Sequence, residues 1–94
     1  MDIFEVVITR QAEKQLRKIP SHVALKLAAW VDGVKHNGLM ETRKLPGFHD
    51  EPLYGKRKSE RSIRLSKSYR AFYVVAKDGS IHVAKVMEVN KHEY

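Results

Sequence analysis

Phe4, Val6 and Ile8 alternate with Glu5, Val7 and Thr9, so residues 2–8 predict a strand with one clearly apolar face. Thr9 then stands where a helix cap belongs. Across residues 10–19, Ala12, Leu16 and Ile19 recur at helical spacing while Arg10, Lys14, Arg17 and Lys18 point elsewhere, and Pro20 ends the run. Ser21 is a second candidate cap. Behind it Val23, Leu27, Trp30, Val31 and Val34 form an apolar stripe at i, i+4, i+7, i+8 and i+11, the signature of a long amphipathic helix. Asn37-Gly38 closes that helix with residues that tolerate a left-handed backbone, which predicts an antiparallel helical hairpin packed on a sheet.

The periodicity lapses over residues 39–55, where Pro46, Gly47 and Pro52 predict an irregular loop with a short strand near residues 43–45. It resumes as β-rich runs at residues 62–65 and 69–75, joined by the turn-like Ser66-Lys67-Ser68. Asp78-Gly79 is a strong turn signal, and Ile81, Val83, Lys85, Met87 and Val89 carry a final strand towards residues 90–94. The expected architecture is α+β: an N-terminal strand, a two-helix antiparallel hairpin and a mainly antiparallel four-stranded sheet. No repeat or linker divides it, so residues 1–94 read as a single domain.

Composition narrows the function classes. With no cysteine among 94 residues, neither a disulfide framework, a thiolate zinc site nor a cysteine nucleophile can be proposed. No stretch approaches the roughly 18 apolar residues of a membrane span, and no basic leader precedes the first strand, which predicts an unprocessed cytoplasmic protein. Eighteen Lys+Arg against 11 Asp+Glu leave a net charge of +7, and a polyanion is the natural partner of such a surface. The charge is concentrated. Arg43, Lys44, Lys56, Arg57, Lys58, Arg61, Arg64, Lys67 and Arg70 face only three acids over the same span, Asp50, Glu51 and Glu60.

The five histidines, His22, His36, His49, His82 and His92, show no metal-binding helical spacing, so neither a metal nor another cofactor is expected. Glycine-rich phosphate loops, serine elbows and paired carboxylates are missing as well. What is left suits RNA cleavage without a metal, which needs a base for the ribose 2′-hydroxyl, fixed cations for the phosphorane and an acid for the leaving 5′-oxygen. Arg64 and Arg70 match the middle role, because a guanidinium presents a planar fork of donors to phosphate. They share a face only if the hairpin register is as read, since a slip of one residue turns one of them over. His92 can exchange a proton near neutral pH, Tyr94 can stack on a base, and Glu51 is either a base or the partner of a surface ion pair with Lys56 or Arg57.

Together these residues resemble the RelE/ParE toxin superfamily, and its RelE/YoeB ribonuclease branch more closely. The resemblance rests on Glu51-Pro52-Leu53, on the hairpin from Ser62-Ile63-Arg64-Leu65 to Tyr69-Arg70-Ala71-Phe72-Tyr73, and on His92-Glu93-Tyr94. It implies Glu51 as general base, Arg70 as the phosphate-stabilising arginine and His92 as general acid. Arg64 falls at the position of a catalytic lysine or arginine, and Tyr94 near that of a terminal tyrosine. Two departures stand out: Glu93 separates His92 from Tyr94, and cations such as Lys56, Lys58 and Arg61 would also suit a RelE-like mechanism without a Glu/His pair. The resemblance further implies ribosome-dependent cleavage of mRNA in the decoding site, and neutralisation by a cognate antitoxin. Arg43, Lys44, Lys56, Arg57, Lys58, Arg61, Lys67 and Lys91 are the candidate RNA-binding cations. A ParE-like gyrase poison, or a module that binds nucleic acid without cutting it, are the competing expectations.

Binding of a short single-stranded RNA should weaken steeply between about 50 and about 200 mM salt. Fluorescence anisotropy measures it, and a salt-independent affinity would remove the polyanion as partner.

Overall fold

The computed structural model describes residues 2–91. Chain order runs β1 (Val6–Ile8), α1 (Arg10–Leu16), α2 (Ser21–Asn37), α3 (Leu39–Arg43), β2 (Glu51–Pro52), β3 (Glu60–Arg64), β4 (Tyr69–Asp78) and β5 (Ile81–Lys91), with short 3-10 turns at Pro46–Phe48 and Gly55–Arg57. The strands form one sheet in the order β1-β5-β4-β3-β2. Among the described residues the β1–β5 pair alone is parallel, with Val6 opposite Ala84 and Ile8 opposite Val86; the other three are antiparallel. The α+β class and mainly antiparallel sheet follow the sequence pattern. The fifth strand was outside it: β2 is two residues long, too short for alternation to register, and its Pro52 sits on an edge strand, where a missing N–H costs no ladder bond.

Thr9 caps α1 as its position predicts, its hydroxyl oxygen accepting from the Ala12 N–H at 3.2 Å. The same hydroxyl donates to the Met87 carbonyl at 3.1 Å. Met87 is the residue left over where the β4–β5 register shifts, so the cap also fastens a β-bulge. Helix α1 ends earlier than residue 19, because Ile19 precedes proline and the last turn tightens through the bond from Lys18 N to Gln15 O. Ser21 is helical rather than capping; Pro20 occupies that place and its carbonyl receives the Val23 and Ala24 N–H groups.

The largest difference lies in the loop expected over residues 39–55, which begins with a helix, α3, and has no strand at residues 43–45. Its start is held from far away. The Asp2 carboxylate accepts from the Met40 N–H at 3.0 Å and the Ile3 carbonyl from the Leu39 N–H at 2.8 Å. The Met40 bond is the main reason the Asp2 carboxyl is held below its ordinary pKa. Gly38 makes the junction possible: its φ is 87°, and a Cβ there would lie 2.1 Å from Asp2 Oδ2.

The core lies between the helices and one face of the sheet. Val23, Leu27, Trp30 and Val34 of α2 are buried with Ile63, Ala71, Tyr73, Ala84, Val86 and Val89 of the strands. Trp30 and Tyr73 meet at the centre with ring centroids 5.0 Å apart and planes tilted by 47°. Trp30→Ala should cost about 3–5 kcal/mol, the range for deleting a buried aromatic and leaving a cavity. Urea unfolding measures it, and a loss below about 1 kcal/mol would mean this pair is not the centre of the core.

Candidate active site

Register decides which side chains meet. Ile63 pairs with Ala71 and Arg61 with Tyr73 on the helix-covered face; Ser62 pairs with Phe72 and Arg64 with Arg70 on the other. Directly opposed residues share a face of a sheet. Glu51 pairs with Ser62 from β2, and Asn90 and Glu88 of β5 pair with Arg70 and Phe72. The face opposite the core therefore carries Glu51, Ser62, Arg64, Arg70 and Glu88, with Asn90 at its border, where Gln15 of α1 donates to Asn90 Oδ1 at 3.2 Å.

At its centre Arg70 Nη1 donates to Ser62 Oγ at 3.1 Å and lies 3.6 Å from Glu51 Oε1. The other Glu51 oxygen, Oε2, is 3.4 Å from His49 Nε2. Thus the surface ion pair open to Glu51 forms with Arg70 and not with Lys56 or Arg57. Arg70 is only 13% exposed whereas Glu51 is 46% exposed, so the guanidinium is seated in the sheet while the carboxylate reaches solvent. Arg64 is exposed beside it.

Asp50 explains why this short strand holds its place. Its side chain has no exposed surface; Oδ2 accepts from Tyr73 Oη and Oδ1 from Arg61 Nε, both at 2.6 Å. Arg43 Nε donates to the same tyrosine oxygen at 3.2 Å. Burial, then the Asp50 carboxylate, push the Tyr73 hydroxyl up to about 12. Arg61 is opposed by its own burial, yet Asp50 more than offsets this and holds it protonated above its ordinary value. Just before Asp50 the chain turns through His49, whose φ of 46° and ψ of 52° are left-handed. With Asp50 directed inward, His49 and Glu51 both emerge on the far side.

The candidate RNA-binding cations divide. Arg57 holds Glu60 through Nε and Nη2 at 2.9 and 2.8 Å, donates to Glu88 as well, and lies 4.4 Å over the Phe72 ring. Bonds to Glu60 raise its pKa, and Arg57 in turn holds the Glu60 carboxyl low. This arginine braces the Gly55–Arg57 turn against the sheet. Arg43 and Arg61 are tied to Tyr73 and Asp50, and Lys44 pairs with Glu41 at 3.0 Å. Lys56, Lys58, Lys67 and Lys91, like Arg64, are exposed and make no ion pair among the described residues. His92 and Tyr94 lie outside the described residues. No group of three His, Cys, Asp or Glu among the described residues could hold a metal ion.

Sequence pattern singled out neither His49, Asp50, Ser62 nor Tyr73. The closeness of His49 and Glu51 in the chain was the one available signal, and it speaks only once the left-handed turn at His49 is known.

No family profile and no curated relative matches the sequence. Solved structures do match in fold. A YoeB/ParE toxin from Agrobacterium tumefaciens aligns with a TM-score of 0.68 at 19% identity, over 95% of this chain and 99% of that one. The RelBE2 toxin–antitoxin complex of Mycobacterium tuberculosis gives 0.67 at 19% identity, over 96% and 99%. YafQ from E. coli strain BL21(DE3) gives 0.70 at 13% identity, over 93% and 91%. The chain has the fold of the RelE, YoeB and YafQ toxins across nearly its whole length.

Asp50→Ala leaves a buried phenol and a guanidinium without their acceptor, and should cost about 3 kcal/mol, the low end for breaking a buried pair because Arg61 keeps some solvent. Tyr73 titrates higher in the folded chain than in the unfolded one, so its contribution is complete below pH 10 and is lost as pH rises towards about 12. Tyr73→Phe should lack that segment of the alkaline unfolding profile; an unchanged profile would place the hydroxyl outside the network.

Proposed function

We propose that this chain is the toxin of a toxin–antitoxin pair, an endoribonuclease that cuts mRNA on the ribosome without a metal. The observation that carries the reading is the pairing of Glu51 with a sheet-seated Arg70 on the face opposite the core, beside an exposed Arg64. A carboxylate and a fixed guanidinium side by side supply the base half and the phosphate-binding half of a transesterification.

In this reaction the 2′-hydroxyl loses its proton on the Glu51 side as its oxygen attacks the neighbouring phosphorus. Arg70, held by Ser62, meets the charge that grows on the non-bridging oxygens, and Arg64 adds a second cation from the facing strand. The phosphorus–5′-oxygen bond breaks, leaving a 2′,3′-cyclic phosphate and a 5′-hydroxyl. His92 is the proposed acid for the leaving oxygen, and Tyr94 the proposed stacking residue. Lys56, Lys58, Lys67 and Lys91 hold the nucleic acid backbone, with Lys44, Arg57 and Arg61 adding to the local field from their ion pairs and Arg43 from its bond to Tyr73. Support for an antitoxin partner comes from the toxin–antitoxin complex among the structures sharing the fold. No described helix is long and apolar enough to cross a membrane, and a ribosome-bound substrate places the action in the cytoplasm.

In-vitro translation with purified protein, with mRNA ends mapped by primer extension, tests this. The parent should cut within translated codons. Arg70→Ala should lower the rate by about 10²–10³, the usual loss for one transition-state donor, and His92→Ala by at least tenfold. Intact mRNA with the parent protein would end the nuclease reading, and trapped gyrase–DNA complexes would then support the gyrase-poison alternative.

A further inference from the structure

Glu51 uses its two oxygens differently: Oε1 faces Arg70, and Oε2 faces His49 Nε2. His49 is more than half exposed, and Glu51 is its one polar side-chain contact among the described residues. Its backbone is the only left-handed non-glycine position described. Glycine, asparagine and aspartate suit such a position as well as histidine does, so the backbone by itself does not require an imidazole there. The strained geometry is imposed from both sides. Ahead of it, Phe48 is buried and the His49 N–H closes the 3-10 turn onto the Pro46 carbonyl; behind it, Asp50 is anchored in the core. Both clamps aim the ring at Glu51.

We propose that His49 is the general base of the site and that Glu51 is the carboxylate that orients it. This rests on the ribonuclease reading above and identifies the atom that receives the proton. In the tautomer with its proton on Nε2, the imidazole donates to Glu51 Oε2 and leaves Nδ1 open. Nδ1 takes the 2′-hydroxyl proton as the 2′-oxygen–phosphorus bond forms; the phosphorus–5′-oxygen bond breaks, its electron pair goes to the 5′-oxygen, and the acid protonates that oxygen. The imidazolium, still held at Glu51, then returns its proton to solvent. A carboxylate that fixes the tautomer and stabilises the imidazolium is the division of labour found in acyl-transfer triads. Imidazole also suits proton abstraction near neutrality better than a carboxylate does.

The charged groups around the ring are few. Glu51 of β2 touches it, and Arg70 of β4 lies on the far side of Glu51. Lys26 of α2 sits 4.6 Å over the ring of neighbouring Phe48, and Asp50 and Arg61 are engaged with each other on the opposite face. A general base acts only in its unprotonated form, so cleavage should fall on the acid side.

The test is single-turnover cleavage of mRNA on programmed ribosomes from about pH 6 to about pH 8, for the parent, His49→Asn, His49→Gly, Glu51→Gln and the His49→Asn/Glu51→Gln double variant. Asparagine and glycine keep the left-handed turn, and urea midpoints no lower than the parent's confirm the fold. His49→Asn should lower the rate by about 10²–10⁴ and erase the acid limb. Glu51→Gln should lose less, the double variant no more than His49→Asn alone, and added imidazole should restore part of the His49→Gly rate. If His49→Asn cleaves within about twofold of the parent with the same pH profile, the proposal is overturned while the ribonuclease reading stands. Loss on Glu51→Gln alone would return the base role to Glu51. A parent that leaves mRNA intact overturns both.

Discussion

The Asp50 carboxylate is the contact on which the placement of the site depends. A charge without solvent is costly unless its oxygens are satisfied, and here two strands supply the donors: Tyr73 from β4 and Arg61 from β3. Tyr73 is in turn packed on Trp30 of α2. A two-residue edge strand with little burial of its own is thereby fastened to the centre of the domain. Side chains alternate along an extended segment, so burying Asp50 turns Glu51 to the open side, and the left-handed turn at His49 brings its ring to the same side. The polar network on the covered face thus positions Glu51 and His49 on the open one.

Charge placement follows the same economy of position. Among the cations from Arg43 to Arg70, Arg43, Lys44, Arg57, Arg61 and Arg70 answer to carboxylates or to the Tyr73 hydroxyl, whereas Lys56, Lys58, Arg64 and Lys67 face solvent. Arg57 shows the difference most clearly: it lies between Lys56 and Lys58, yet it is folded onto Phe72 and held by Glu60 and Glu88. Two lysines are presented outward because the arginine between them is drawn inward.

How much could be read from the chain follows from the range of each interaction. Thr9 as a cap and the α2 stripe were legible because helical periodicity and capping act within a few residues. So was the pairing of Arg64 with Arg70, since a short turn leaves the hairpin few registers. Helix α3 was not, because its first N–H groups are answered by Ile3 and Asp2, at the other end of the helical region. The engagement of Arg43 with Tyr73 and of Arg57 with Glu88 was hidden likewise, each partner lying about thirty positions away. Glu51 could be picked out as a carboxylate amid cations; His49 could not, until the left-handed turn that brings its ring to Glu51 was visible.

The parallel pairing of β1 with β5 bears on when the protein can act. β5 lies between β1 and β4, and it is the last of the five strands to be synthesised. Until it emerges, β1 has no neighbour in the sheet, the Thr9 cap has no bulge to fasten, and Arg70 lacks the strand behind it. Closing that gap brings together segments some eighty positions apart, the kind of contact that forms late in folding. The nascent chain is thus assembled by the machinery it is proposed to attack, and the topology of the sheet withholds the face that carries Glu51 and Arg70 until β5 has been made.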